Sequence, residues 1–195
     1  MKLPINCEVD YFRGFLDLED AKGLYLELSE LVKELNYIPQ IESGTSFEVN
    51  FKKIMFLDQD LIGKNIFPEE QWGPTRIWTN KLKNLKVKIE SFTKQQFQVC
   101  VLIFYPDGSA GVDYHSDFMA FGDTTIIPSI SLGEERVFKF RNKENGNELS
   151  TLLEDGSLII MGKHCQNRYE HSLPIDFKYK NPRINLTFRK YGFDD

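Results

Sequence analysis

Between residues 18 and 35, apolar side chains recur at Ala21, Leu24, Tyr25, Leu28, Leu31, Val32 and Leu35. Steps of three and four place them on one stripe of an α-helix. Asp17, just ahead, can accept N–H bonds from the first turn and is the predicted N-cap; Pro39 discourages continuation. A second helix is predicted over about 76–92, with Trp78, Leu82, Leu85 and Ile89 on one face. Residues 40–76 mix Gly, Pro and aromatics and read as short strands and loops. From Phe97 the period changes. FQVCVLIFY (97–105) is apolar on both faces, as in a strand covered on both sides. PDG (106–108) is a turn signal. IIPSISL (126–132), RVFKF (136–140), LSTLL (149–153), SLIIM (157–161) and RINLTFR (183–189) follow. Many short strands separated by turn residues predict a sandwich or barrel, and two helices ahead of them would cover one sheet. The expected fold class is mainly β with flanking helices (α+β). Without a repeat or linker, residues 1–195 read as one domain: a helical and variable part over about 1–95 and a β core over about 96–191.

Composition changes this picture little. Sixteen phenylalanines suit a core of large side chains and an aromatic-lined pocket. A net charge of −5 and a pI near 5.3 lack the cationic excess of a protein that grips phosphates over its whole surface. A local basic patch remains open, with Lys52, Lys53, Lys139, Arg141, Lys143 and the lysines of KLKNLKVK (81–88) as candidates, although a solvated charged face is the commoner reading of each. No segment approaches the roughly 20 apolar residues that span a bilayer, so no membrane association is expected. The start, MKLPINCEVD, lacks the apolar region of a secretory signal. Cys7, Cys100 and Cys165 have no metal-site spacing and are expected to be free thiols of a reducing cytoplasm, or of the nucleus in a eukaryote. A monomer is expected.

Candidate chemistry begins at VDYHSDF (112–118). The chain has three histidines, His115, His164 and His171, and one of them stands two residues from Asp117. In extended backbone such a pair points to one side, so an imidazole nitrogen and a carboxylate oxygen converge as two metal ligands must. A facial triad for non-haem iron needs one further histidine, either His164 or His171. In isolation, H-x-D is more often a turn whose Asp accepts backbone N–H bonds. The strand RINLTFR adds a second signal. Arg183, Asn185, Thr187 and Arg189 form a polar face, and Ile184, Leu186 and Phe188 an apolar one. This is either a solvated edge strand or a pocket wall whose arginines, with Cα atoms about 20 Å apart, hold a small dicarboxylate through bidentate forks. Taken jointly, iron ligands and paired arginines point to a 2-oxo acid bound beside iron.

YPDGSAGVDYHSD (105–117), IPSISLGEERVFKFR (127–141), LEDGSLIIMGKHCQNRYEH (153–171) and PRINLTFR (182–189) resemble, in order and spacing, the AlkB-type iron(II)/2-oxoglutarate-dependent dioxygenases. The resemblance runs from about Trp78 to Tyr191. It implies a double-stranded β-helix, or jelly roll, and a catalytic metal set of His115, Asp117 and His171. His171 is chosen because Gln166, Tyr169 and His171 match a Q-x-x-aromatic-x-H pattern, which leaves His164 a bystander. The resemblance also implies that Arg183 binds the distal carboxylate of 2-oxoglutarate, Arg189 and Asn185 its other polar end, and that the Tyr105 hydroxyl helps hold it. The implied cofactors are Fe(II), 2-oxoglutarate and dioxygen. The implied reaction is oxidative demethylation of N-alkylated bases of the 1-methyladenine or 3-methylcytosine type in DNA or RNA, releasing formaldehyde and succinate; the alternative is the same chemistry on a protein or small molecule. A flipped base needs aromatic faces to stack on. Phe47, Phe51, Phe56, Trp72, Tyr114 and Phe118 are candidates, and core packing is the commoner role for each. Three positions depart from the family pattern: Ile103 stands where an asparagine is usual, Phe118 and Met119 where repair members often have acids, and Tyr169 where a tryptophan is usual.

Overall fold

The computed structural model describes residues 1–35, 40–42, 45–47, 51–64, 66–117 and 119–193, with backbone alone at 40–42 and 45–47. In chain order the elements are β1 (Val9–Phe12), α1 (Leu18–Lys33), β2 (Gln40–Glu42), β3 (Thr45–Phe47), β4 (Lys52–Leu57), α2 (Gln59–Ile62), α3 (Glu69–Trp72), β5 (Thr75–Ile77), α4 (Asn80–Thr93), β6 (Val99–Tyr105), β7 (Val112–His115), β8 (Ile127–Gly133), β9 (Arg136–Asn142), β10 (Glu148–Leu153), β11 (Leu158–Met161), α5 (Cys165–Arg168), β12 (Tyr169–Leu173) and β13 (Arg183–Arg189).

A large sheet has the order β1-β11-β8-β13-β6-β4-β5, and a small one the order β10-β9-β12-β7; β2 and β3 form a separate hairpin. The chain passes back and forth between the two sheets from β6 to β13, which is the winding of a jelly roll. β13 lies at the centre of the large sheet, paired with β6 on one side and β8 on the other. That position decides between the two readings of RINLTFR: it is no edge strand. Its apolar face, Ile184, Leu186 and Phe188, is fully buried and packs outward against the helices. Its polar face is thereby turned into the space between the sheets.

The helices follow from the pattern that predicted them. The Asp17 side chain accepts from Asp20 N at 2.8 Å, and Ala21, Leu24, Leu28 and Val32 of α1 are buried. Truncating a fully enclosed leucine such as Leu28 to Ala would cost about 2–5 kcal/mol. The second helix begins four residues later than the periodicity suggests, because the Thr79 side chain caps it by accepting from Leu82 N and residues 75–77 pair with β4 as β5. Trp78 precedes the helix, stacked on Phe188 at 6.1 Å, with its indole N–H donating to Asp58. β1, β7 and β12 escaped the pattern, and β2 to β5 fall in or at the edge of the 40–76 region that it left as unspecified short strands and loops. β1, β4, β7 and β12 are four to six residues long and gain their register from a partner strand.

Cys7, Cys100 and Cys165 are free thiols. Among the described residues no helix is long and apolar enough to cross a membrane.

Candidate active site

Register brings the histidines together. β12 pairs with β7 so that His171 stands directly opposite His115, with ring centroids 4.4 Å apart. Asp117 follows β7, and its carboxylate lies 3.7 Å from His171 Nε2. Donor atoms of His115, Asp117 and His171 all lie within 4.8 Å of one another. This settles which histidine completes the trio: His164 is exposed, in left-handed backbone ahead of α5.

The surroundings prepare these groups for a metal. His171 is 5% exposed, walled by Phe138 and Phe140, and its Nδ1 is buried without a hydrogen-bond partner among the described residues. Burial pushes its imidazole down to about 4, against the opposing pull of the Asp117 carboxylate. It is therefore neutral at neutral pH, the form that coordinates metal. His115 Nδ1 lies 2.8 Å from the carbonyl of Asp113. Donation from Nδ1 to that carbonyl leaves Nε2 with the free lone pair. Asp117 is held from two sides: its N–H donates to Gln166 Oε1 at 2.8 Å, and Arg189 Nη1 donates to its Oδ1 at 3.2 Å.

The trio opens into a cavity of about 360 Å³ between the sheets. The polar face of β13 forms its wall, with Tyr105, Ile103 and Val101 of β6 beside it and Phe51 and Lys53 beyond. Arg183 is 2% exposed. Its Nη2 donates to Ser131 Oγ at 2.9 Å and to Asn185 Oδ1 at 3.2 Å, while its Nε is buried without a partner. No carboxylate pairs with it among the described residues, and burial pushes its guanidinium down to about 10. Asn185 also accepts from Ser129 Oγ and donates to Thr187 Oγ1, so it is fixed from both ends. The Tyr105 ring lies under the Arg183 guanidinium at 5.5 Å, and burial raises its hydroxyl above the ordinary range. A buried, hydrogen-bonded cation without a counter-ion is costly; the arrangement suits an anionic ligand that supplies the missing charge.

Ser129 and Ser131 support the site but were not singled out for it from the sequence, and Gln166, named there only as part of the pattern that ends in His171, proves to hold Asp117. Ser129 and Ser131 alternate within IIPSISL as the polar residues of β13 do, and that matched period was the available signal. The aromatic candidates separate. Phe51 lines the cavity, its ring 5.9 Å from Tyr105. Phe56 does not reach it: the side chain points the other way from β4 and is fully buried under the helices. Trp72 packs edge-on against Phe67 and Phe121 outside the cavity lining. Tyr114 alternates with His115, so it faces away, bonded to Glu148 and covered by Arg141 at 3.8 Å. The Phe47 side chain and all of Phe118 lie outside the described residues. Of the candidate phosphate contacts, Lys52 donates to the carbonyls of Val32 and Leu35, Lys139 pairs with Glu148, Arg141 with Glu170, and Lys143 donates to the carbonyl of Gln166.

The profile of the 2OG-Fe(II) oxygenase superfamily matches residues 9–189. The chain belongs to that superfamily. Among curated proteins, this oxygenase is 35% identical over 91% of its length to alpha-ketoglutarate-dependent dioxygenase alkB homolog 3 of Mus musculus, of which it covers 64%. It is 34% identical over 58% of its length to DNA oxidative demethylase ALKBH2 of Bos taurus, covering 44% of that protein. The oxygenase thus spans less than two thirds of the length of these relatives. Among solved structures, OsALKBH1 superposes with a TM-score of 0.63 at 15% identity, covering 96% of this chain and 100% of that one; a Pseudomonas putida prolyl-4-hydroxylase gives 0.61 at 14%, covering 94% and 93%. These two likenesses establish the jelly-roll fold. The site fits the superfamily's Fe(II) and 2-oxoglutarate: two imidazoles, one of them buried and neutral, and a carboxylate make the donor set for iron, and Arg183, buried without a carboxylate partner among the described residues, lines the same cavity.

Proposed function

We propose that this oxygenase carries out Fe(II)- and 2-oxoglutarate-dependent oxidative demethylation of N-alkylated nucleic-acid bases, releasing formaldehyde and succinate. The observation that carries this reading is the joining of the His115–Asp117–His171 cluster and the buried Arg183 in one cavity. Its relatives named alkB homolog 3 and DNA oxidative demethylase support the choice of substrate.

The chain's own residues have distinct parts. His115, Asp117 and His171 would hold iron. Arg183 would seat the distal carboxylate, oriented by Ser131 and Asn185, with the Tyr105 hydroxyl at the same end. Arg189 steadies Asp117 from the opposite end of β13. Bound iron supplies oxidation of the 2-oxo acid by dioxygen, coupled to hydroxylation of a substrate methyl group. Phe138, Phe51, Leu173 and Val112 give the cavity an apolar lining beside the three candidate ligands. Phe51 offers the cavity an aromatic face for a flipped base.

A second reading keeps the chemistry and changes the substrate to a protein or small molecule. It is favoured by the prior engagement of Lys52, Lys139, Arg141 and Lys143, which leaves fewer cations for phosphates. Formaldehyde release from single-stranded DNA and RNA oligonucleotides carrying 1-methyladenine or 3-methylcytosine separates the two. Release that vanishes in His115→Ala is the expected result. Succinate production without formaldehyde from any oligonucleotide would reject the nucleic-acid reading and leave the second.

A further inference from the structure

Lys53 is placed in the cavity by the alternation of β4. Lys52, Ile54 and Phe56 face the helices, where Lys52 donates to carbonyls at the end of α1 and Ile54 and Phe56 join the core. Phe51, Lys53 and Met55 face the opposite way. A lysine is a costly choice for that position. Its ammonium has no carboxylate partner among the described residues and rests over the Trp72 ring at 5.5 Å. Burial, with repulsion from Arg189 adding to it, lowers the ammonium to about 8, so at pH 7 it is still mostly charged.

Among the described residues the cavity therefore presents three cations, Lys53, Arg183 and Arg189, against one carboxylate, Asp117. Asp117 is matched by Arg189. Arg183 is the seat for one end of a dianion. A dianion has a second carboxylate, and pairing shows which side chain lies nearest its path. β4 pairs with β6 and β6 with β13, so Lys53, Ile103 and Asn185 form one row across the sheet. Strand spacing puts the backbone of Lys53 about 10 Å from that of Asn185, and the row crosses β13 between Arg183 and Arg189. Asn185 is committed to Ser129, Arg183 and Thr187. Ile103, in the middle of the row, has no hydrogen-bonding side-chain group. Lys53 is the polar group left in the row to meet a ligand, on a flexible stem that reaches over Ile103.

We propose that Lys53 binds the keto-acid end of 2-oxoglutarate, its ammonium moving from the Trp72 ring to the carboxylate beside the metal cluster and supplying the contact that Ile103 cannot. The proposal rests on the reading of this cavity as the 2-oxoglutarate site, and it makes Lys53 a residue that determines cosubstrate affinity.

The test is titration of 2-oxoglutarate into the Mn(II)-loaded protein without oxygen, followed by calorimetry, for wild type, Lys53→Met, Lys53→Gln and Lys53→Arg. A charge-assisted contact of this kind corresponds to roughly a 10- to 100-fold change in Kd. Both neutral variants are expected to bind 2-oxoglutarate at least about tenfold more weakly, and Lys53→Arg to recover part of the loss. Mn(II) affinity and the binding of a fluorescein-labelled, methylated single-stranded oligonucleotide are expected to be unchanged. Equal 2-oxoglutarate affinity in wild type and both neutral variants would overturn the assignment. So would a loss confined to the oligonucleotide, which would move Lys53 to the substrate. Failure of wild type itself to bind 2-oxoglutarate would instead overturn the cofactor reading on which the proposal depends.

Discussion

Replacing Lys53 by Met should make the metal-free protein more stable at neutral pH. Met keeps most of the volume and flexibility of the lysine stem and removes the charge. An ordinary lysine titrates at 10.5, and here burial lowers the value to about 8. At 1.36 kcal/mol per pH decade, that difference corresponds to roughly 3 kcal/mol; water in the open cavity screens the ammonium, and about 1–2 kcal/mol is the expected effect. The sign follows from proton counting. Between pH 8 and 10.5 the unfolded chain keeps a proton on Lys53 that the folded chain has released, so wild-type stability gains from rising pH across this window. Below pH 8 both states are protonated and the full penalty stands. Among the described residues the charged and titratable groups that line the same cavity are Arg183 and Arg189 on β13, Tyr105 on β6, Asp117, His115 and His171; because variant and wild type share them, the difference between the two isolates Lys53. Urea unfolding followed by far-ultraviolet circular dichroism at pH 7, 9 and 10.5 reads that difference from the midpoints. Lys53→Met should lead at pH 7 and its lead should shrink by pH 10.5. A variant less stable than wild type at pH 7, or a lead independent of pH, would refute the account of Lys53 as a buried, unmatched cation.

Gln166→Ala removes the acceptor for Asp117 N–H; Mn(II) affinity should fall about 10- to 100-fold, measured by electron paramagnetic resonance, with unchanged circular dichroism. Arg183→Met should weaken 2-oxoglutarate binding by about 10- to 100-fold or more in anaerobic calorimetry, and leave Mn(II) binding within about threefold. Burial holds His171 neutral down to about 4, whereas the unfolded imidazole takes its proton near 6.5. The stability of metal-free wild type should therefore fall as pH drops through that window, and the urea midpoint of His171→Leu should lose this part of the slope.

Much of the architecture was legible because it is local. The three- and four-residue steps of α1, with Asp17 ahead of them, specify a helix and its start from backbone geometry alone. Strict alternation in RINLTFR marked β13 to the residue. His115 and Asp117 were legible as a pair because two residues of extended chain point one way. The resemblance supplied His171 and the arginine roles; the residues by themselves left His164 and His171 open. Tertiary structure decided the rest. Only the register of β12 on β7 sets His171 opposite His115, and that register joins positions 56 residues apart, beyond any local period. Phe56 and Phe51 differ only in which side of β4 they occupy; aromatic character suits a core and a pocket alike, so sequence could not separate them. Lys52 and Lys53 are adjacent and chemically identical. One caps a helix and the other stands unmatched in the cavity, because a pleated strand sends neighbouring side chains to opposite faces and only the packing of sheet, helices and cavity determines what each face meets.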